Sequence, residues 1–254
     1  MIYDIQKASV YKRISALLFD VILIAIIAVG SAFALSAILR YDTHVAERQQ
    51  LLDKYELEHG IEFDITSAEY EAMSEEQRTE YNDAYNDFAS APEVSNKDAL
   101  IFNLTLIITV FGILIALLIW EFIIPLKLGN GQTVGKKIFG IAVMRVDGVK
   151  ISTLQLLVRS VLGKYTVETM IPVMLILMLF FGVMPIMCLT GIALIALLQV
   201  VFVLTSRLRT PIHDMISGTV AVDLASQLIF DSAEEMMEYK KRVHEEKARQ
   251  AEYK

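Results

Sequence analysis

TMIPVMLILMLFFGVMPIMCLTGIALIALLQVVFVLTS, residues 169–206, is a run of 38 residues without one charged side chain. A helix crosses the hydrocarbon core of a bilayer in about 20 residues, so the run is nearly twice as long as one crossing needs. Gly182-Val183-Met184-Pro185 interrupts it, and Gly and Pro are the residues that stop one helix and start another. The reading is two spans joined by a tight reversal. Two further runs lie upstream: residues 14–39 hold a single charged residue, Asp20, and residues 99–120 hold none. Each crosses once, which makes four spans. With 55% hydrophobic residues the chain is too apolar for an ordinary soluble domain.

Charge sets the orientation. Residues 40–98 hold sixteen acidic side chains against five Lys or Arg, whereas residues 125–165 hold seven Lys or Arg against one acid, Asp147. Lys7, Lys12 and Arg13 precede the first span, and Arg207 and Arg209 follow the last. Basic segments stay in the cytoplasm, and four spans return the chain to its starting side. The expectation is a multi-pass protein of the cell membrane with both termini cytoplasmic and the acidic loop outside. Removing the loop's −11 from the total of −7 leaves +4, a mildly basic inner face suited to anionic lipids. Ala32-Phe33-Ala34 fits a signal-cleavage pattern, but the run is long for a signal core and contains Asp20, which argues for a retained span. The single cysteine, Cys188, lies in the last apolar run, so no internal disulfide forms and the residue reads as a small apolar filler.

Four segments follow: residues 1–39, the N-terminus and first span; 40–98, an acidic extracytoplasmic loop; 99–230, the membrane core; and 231–254, a charged tail. In the loop, Thr66-Ser67-Ala68-Glu69 and Ser74-Glu75-Glu76-Gln77 match the capping box that starts a helix. Leu51, Leu52, Tyr55, Tyr81, Tyr85 and Phe88 recur at helical spacing, so a short helical hairpin is expected, a solvated cap more than a cation-collecting or partner-binding surface. On the basic side, Ile141 to Val146 reads as a strand, Asp147-Gly148 as a hairpin turn and Val149 to Ile151 as the return strand. Ser152 then caps an amphipathic interfacial helix, Thr153 to Lys164, that feeds the third span. The fold class is an all-α polytopic membrane protein of four spans, with a helical loop, a short cytoplasmic β-hairpin and an interfacial helix.

GNGQTVGKKIFG, residues 129–140, has the look of a phosphate-binding loop. A P-loop needs four residues between Gly and Gly-Lys, then Ser or Thr; here three residues separate Gly131 from Gly135, and Lys137 stands where magnesium would need a hydroxyl. The nucleotide reading fails, leaving an interfacial turn with Lys136 and Lys137 reaching headgroup phosphates. A stronger signal is Asp20, carried into the hydrocarbon where a carboxylate costs several kcal/mol unless paired or protonated. Arg13, seven residues earlier, shares its helix face about 10 Å away along the axis, and pairing is expected with Arg13 or with a base such as Arg159. Glu121, Arg159, Glu168 and Asp214 are the other candidates at the inner membrane edge. Met170, Met174 and Met178 recur at four-residue spacing but lack a Cys or His partner, the four histidines show no ligand spacing, and no nucleophile sits in an elbow or dyad. No catalytic residue, metal, cofactor or nucleic acid is called for, and the protein is not expected to be an enzyme.

Arg13 and Asp20 in the first span, then GQTVGKK at 131–137, the Asp147-Gly148 turn, Arg159, and Asp214 in HDMISGTVAV together resemble the RDD family of small bacterial and archaeal membrane proteins. The resemblance covers residues 9–40 and 99–224 and maps the family's arginine and two aspartates to Arg13, Asp20 and Asp214. It implies an integral membrane protein for which transport, including cation/proton exchange, has been proposed. On that implication Arg13, Asp20 and Asp214, with Glu121 and Arg159, are the candidate functional ion-pair cluster of a small cation/proton or solute carrier. The alternative is a non-catalytic accessory or regulatory protein acting through its outer cap or inner surface, with a membrane-protein partner or as a homo-oligomer.

Overall fold

A computed structural model describes residues 5–180, 182, 184–206 and 210–252. Arg207 and Arg209, which entered the charge reading, and Val183, in the reversal, lie outside the described residues. Among the described residues, four helices are long and apolar enough to cross a bilayer: α1 (Val10–Ile38), α5 (Pro92–Leu128), α7 (Thr153–Phe180) and α8 (Pro185–Thr205). Their most apolar windows have mean hydropathies of 2.7, 2.7, 1.5 and 2.6, the low value falling on the helix that carries Arg159, Lys164 and Glu168. Exposed Leu, Ile, Val and Phe side chains cover α1 and α8. Water would not tolerate so large an apolar surface, which a bilayer covers.

The chain forms two compact units, one of Val29–Gly112 and one of the remainder. In the first, α2 (Tyr41–His59) ends at Gly60, α3 spans Ser67–Ala72 and α4 spans Glu75–Ser90. Both expected capping boxes form, Thr66 with Glu69 and Ser74 with Gln77, each satisfying backbone donors at a helix start. The apolar seam closes as read, with Leu51, Leu52, Tyr55 and Tyr81 packed against buried Phe88 and Ala84. Its centre is a residue the periodicity does not single out: Phe63, in the connection, packs its ring against Tyr81, Tyr85 and Phe88 at 5.5–6.1 Å between centroids.

In the second unit the strand expected from Ile141 forms β1 (Ile141–Arg145), but its partner differs from the expectation. The Asp147-Gly148 turn is made, with Gly148 N–H donating to Arg145 O, yet the returning chain contributes only a bridge at Lys150. The antiparallel partner is β2 (Thr219–Asp223), in register Ile141↔Asp223 to Arg145↔Thr219. Four consecutive residues are buried on each strand, so the pair is covered on both faces. Ala8 and Ala16 close one face, Ile5 and Ile229 the other. A two-residue turn can hold the local hairpin, but burial on both sides selects the distant, β-branched Thr219-Val220-Ala221-Val222.

The interfacial helix also differs. Ser152 caps as expected, with Gln155 completing the box, but Thr153–Phe180 is one helix whose middle, Arg159–Met170, takes π-helical hydrogen bonding. A second π stretch, Leu118–Ile123, lies within α5. The short helices α6 (Val134–Ile138) and α9 (Ile212–Ser217) and the charged α10 (Ala233–Glu252) complete the unit, the last anchored by Met236 on Val149 and Phe230.

Candidate functional site

The segment 129–140 is built around the first helix. Gly131 adopts φ +59°, and a Cβ there would lie 2.9 Å from that of Val143. Gln132 is buried and donates to Ile141 O at 2.7 Å, fixing the turn on β1. Thr133 caps α6, its hydroxyl oxygen accepting from Lys136 N–H while its proton goes to Asp20 Oδ2 at 2.5 Å. Gly135 N–H donates to Asp20 Oδ1 at 2.9 Å. A Cβ on Gly135 would meet Ala16 O at 2.6 Å, so this glycine lets α6 touch α1. Trp120 Nε1–H, from the π stretch of α5, supplies a third bond to Asp20 at 2.8 Å.

Asp20 is therefore 3% exposed and held by three neutral donors. The expected pairing with Arg13 or with Arg159 does not form. Arg13 Nη2 donates to Ala221 O at 2.6 Å and neighbouring Lys12 meets Asp223 at 2.5 Å, so the basic end of α1 is tied to β2. A buried carboxylate needs its lone pairs satisfied, and here three fixed neutral donors supply the hydrogen bonds.

The ion pairs lie elsewhere. Arg159 is 1% exposed; its Nε donates to Asp214 Oδ1 at 2.8 Å, Nη1 to Glu121 Oε2 at 3.4 Å, and Nη2 contacts His213 Nε2 at 2.9 Å. Glu121 also takes Lys136 Nζ at 3.3 Å and the ammonium of Lys164. Thr219 Oγ1 donates to Asp214 at 3.0 Å, and His213 Nδ1 meets Glu168 Oε2 at 2.7 Å. Helix type explains part of the convergence. A π turn brings residues five apart towards one face, so Arg159 and Lys164 both reach Glu121, and Thr166 Oγ1 bonds Val161 O. Gly163 permits the approach of α9, because a Cβ there would lie 2.5 Å from that of His213.

The structure thus brings Glu121, Arg159 and Asp214 into one cluster, places Asp20 on its own donors, and leaves Arg13 on the sheet. The expectation for the lysine pair divides. Lys137 is exposed, whereas Lys136 is buried against Glu121 rather than turned outward. Burial pushes its ammonium down to about 8, against the opposing pull of Glu121. Burial also pushes the His213 imidazole below its usual range, Asp214 opposing and Arg159 reinforcing. For Asp214 burial acts upward, but Arg159 and His213 outweigh it and hold the carboxyl well below the ordinary range. Lys164, His213, Trp120 and Thr133 were given no role from the sequence, although Thr133 and His213 lie within GQTVGKK and HDMISGTVAV and Trp120 is the single tryptophan of the chain.

The model of the RDD family matches residues 7–218, most of the chain. No curated protein and no solved structure matches it.

Proposed function

The chain belongs to the RDD family, and from that premise we propose that it is a carrier of the cell membrane, with both termini cytoplasmic, that exchanges a small cation for a proton. One observation carries the reading. Among the described residues, Asp20, Glu121, Glu168 and Asp214 are largely withdrawn from solvent together with three cations, Lys136, Arg159 and Lys164, and the imidazole of His213. Asp20, with neutral donors alone in contact, is the carboxylate without a base of its own. Ionisable groups at this depth are costly and mark ion pathways, and the π stretches that bear Glu121 and Arg159 are a form of helix found mostly at functional sites.

Lys136 supplies the exchange. It sits on Glu121 and feels Asp20, and near pH 8 it gives up its proton with little cost. Loss of that proton turns the ammonium into a neutral amine and removes one positive charge from beside Glu121 and Asp20, which an entering monovalent cation restores. Proton and cation then compete for the same charge, and no catalysed reaction is involved.

The test is flux in proteoliposomes carrying a trapped pH dye and an imposed Na⁺, K⁺ or Li⁺ gradient. Wild type should move protons against one of these cations. Lys136→Arg, which keeps the charge but cannot release a proton near neutrality, should be folded and silent, as should Asp20→Asn. Asp147→Asn, at the exposed turn, should behave as wild type. No flux above empty vesicles with any of the three cations, or full flux in Lys136→Arg, would overturn the reading. A second reading, an accessory protein, rests on the aromatic core of the 40–98 loop, which gives that segment a shape of its own. It is favoured if a silent wild type brings down a membrane partner that is lost on deleting residues 61–91.

A further inference from the structure

The imidazole of His213 is wedged between Glu168 and Arg159, and its proton can be placed by chemistry alone. A guanidinium donates and never accepts. The 2.9 Å contact from Arg159 Nη2 therefore requires Nε2 of His213 to be the acceptor, which puts the ring proton on Nδ1. Nδ1–H then donates to Glu168 Oε2 at 2.7 Å, and His213 N–H donates to Glu168 Oε1 at 3.0 Å. Both carboxylate oxygens of Glu168 grip one residue. The ring is a neutral bridge, fixed at one end by a carboxylate and steering a guanidinium at the other.

We infer that Glu168 and His213 form a proton-sensitive relay that positions Arg159: the neutral ring holds Arg159 on Asp214, and a second proton on the ring releases it. The geometry supplies both states. Asp214 Oδ1 accepts from Arg159 Nε at 2.8 Å and lies only 3.6 Å from His213 Nε2. Protonating Nε2 sets donor against donor at the Arg159 contact and creates a second cation beside Asp214. The imidazolium turns to Asp214, and Arg159 keeps only Glu121. The charged or titratable groups that contact the ring are Glu168 and Arg159 on the π stretch of α7 and Asp214 on its own helix; Gln199 of α8, which backs Glu168, carries no charge. There is no slack to absorb the change elsewhere, because Gly163 already sits against the His213 backbone.

The sign of the pH effect follows. Burial lowers the folded-state affinity of His213 for a proton below that of the unfolded chain, whose imidazole titrates near about 6.5. The stability held by the relay is complete above about 6.5 and is lost as pH falls from there towards the lower folded value. The inference goes beyond the exchange reading, and its readouts need no transport.

Two substitutions separate the roles of the ring nitrogens. In His213→Gln the side-chain carbonyl reaches the Nε2 position, keeps an acceptor for Arg159 and cannot titrate. In His213→Asn the amide occupies the Nδ1 position, keeps Glu168 and abandons Arg159. The full-length protein in detergent, labelled with ¹⁵N-histidine, should show the Nδ1–H tautomer for His213 at pH 7.5. Its melting temperature should fall between pH 7 and 5. His213→Gln should melt close to wild type at pH 7.5 and lose most of that fall, while His213→Asn should melt lower at both ends. An Nε2–H tautomer at pH 7.5, or a His213→Gln protein with the wild-type pH slope, overturns the relay. If His213→Gln does not fold, the tautomer and the titration of the wild-type ring still decide the matter.

Discussion

Asp20 and Asp214 are two aspartates of one compact unit, both almost fully buried, and they are stabilised in opposite ways. Asp214 faces a guanidinium, a threonine hydroxyl and an imidazole, in a network where each carboxylate has a base. Asp20 faces an indole, a threonine hydroxyl and a backbone N–H, with no base in contact. Burial alone therefore does not imply an ion pair. What it requires is donors already in place, and the chain provides them at Asp20 by folding Thr133 and Gly135 over the carboxylate. The first arrangement binds α7 to α9. The second fixes α1, where Ala16 and Asp20 are the buried residues of the helix.

The largest difference between the two should come from removing a base. Arg159→Gln leaves Asp214 and Glu121 short of a buried partner, a loss of about 3–5 kcal/mol. It should abolish most of the monodisperse material recovered by size-exclusion chromatography. Asp214→Asn added to it should restore a part, since the neutral pair no longer pays the desolvation of an unmatched charge. A double mutant recovered no better than Arg159→Gln would show that the network is not organised on this pair.

A smaller effect is expected at the neutral site. Gly135→Ala forces a methyl against Ala16 O, and overpacking of this kind costs about 1–3 kcal/mol. The melting temperature should drop while the Arg159 network stays intact, so that His213 keeps its tautomer. A melting temperature equal to wild type would mean that α1 does not lie on α6 as described.

These contrasts also show what a sequence carries. The four spans are legible because hydrophobic length is a local property, and the caps at Thr66, Ser74 and Ser152 are legible because each needs only four consecutive residues. The ionisable residues of the cluster stand out for the same reason: Glu121, Arg159 and Asp214 are charges at the ends of apolar runs. Their pairing is not local. Asp20 finds Trp120 and Thr133 across one hundred residues or more, and a nearby arginine on the same helix face is the obvious but wrong partner. Lys136 and Lys137 look alike in sequence. Only the cap at Thr133, which starts a one-turn helix, decides which of them turns inward. The π stretches leave no mark in composition, and β2 hides behind a turn that promises a simpler hairpin.

The smallest expected effect gives the sharpest test, a pair of double-mutant cycles read as thermal stability in one detergent. One cycle combines Arg159→Gln with Asp214→Asn; the other combines Arg13→Gln with Asp20→Asn. Residues in direct contact couple, and residues without shared partners add. Arg159 and Asp214 should couple by about 2 kcal/mol or more, and Arg13 and Asp20 by less than about 0.5 kcal/mol. A coupling between Arg13 and Asp20 as large as that between Arg159 and Asp214 would contradict this, because Asp20 would then have a base of its own.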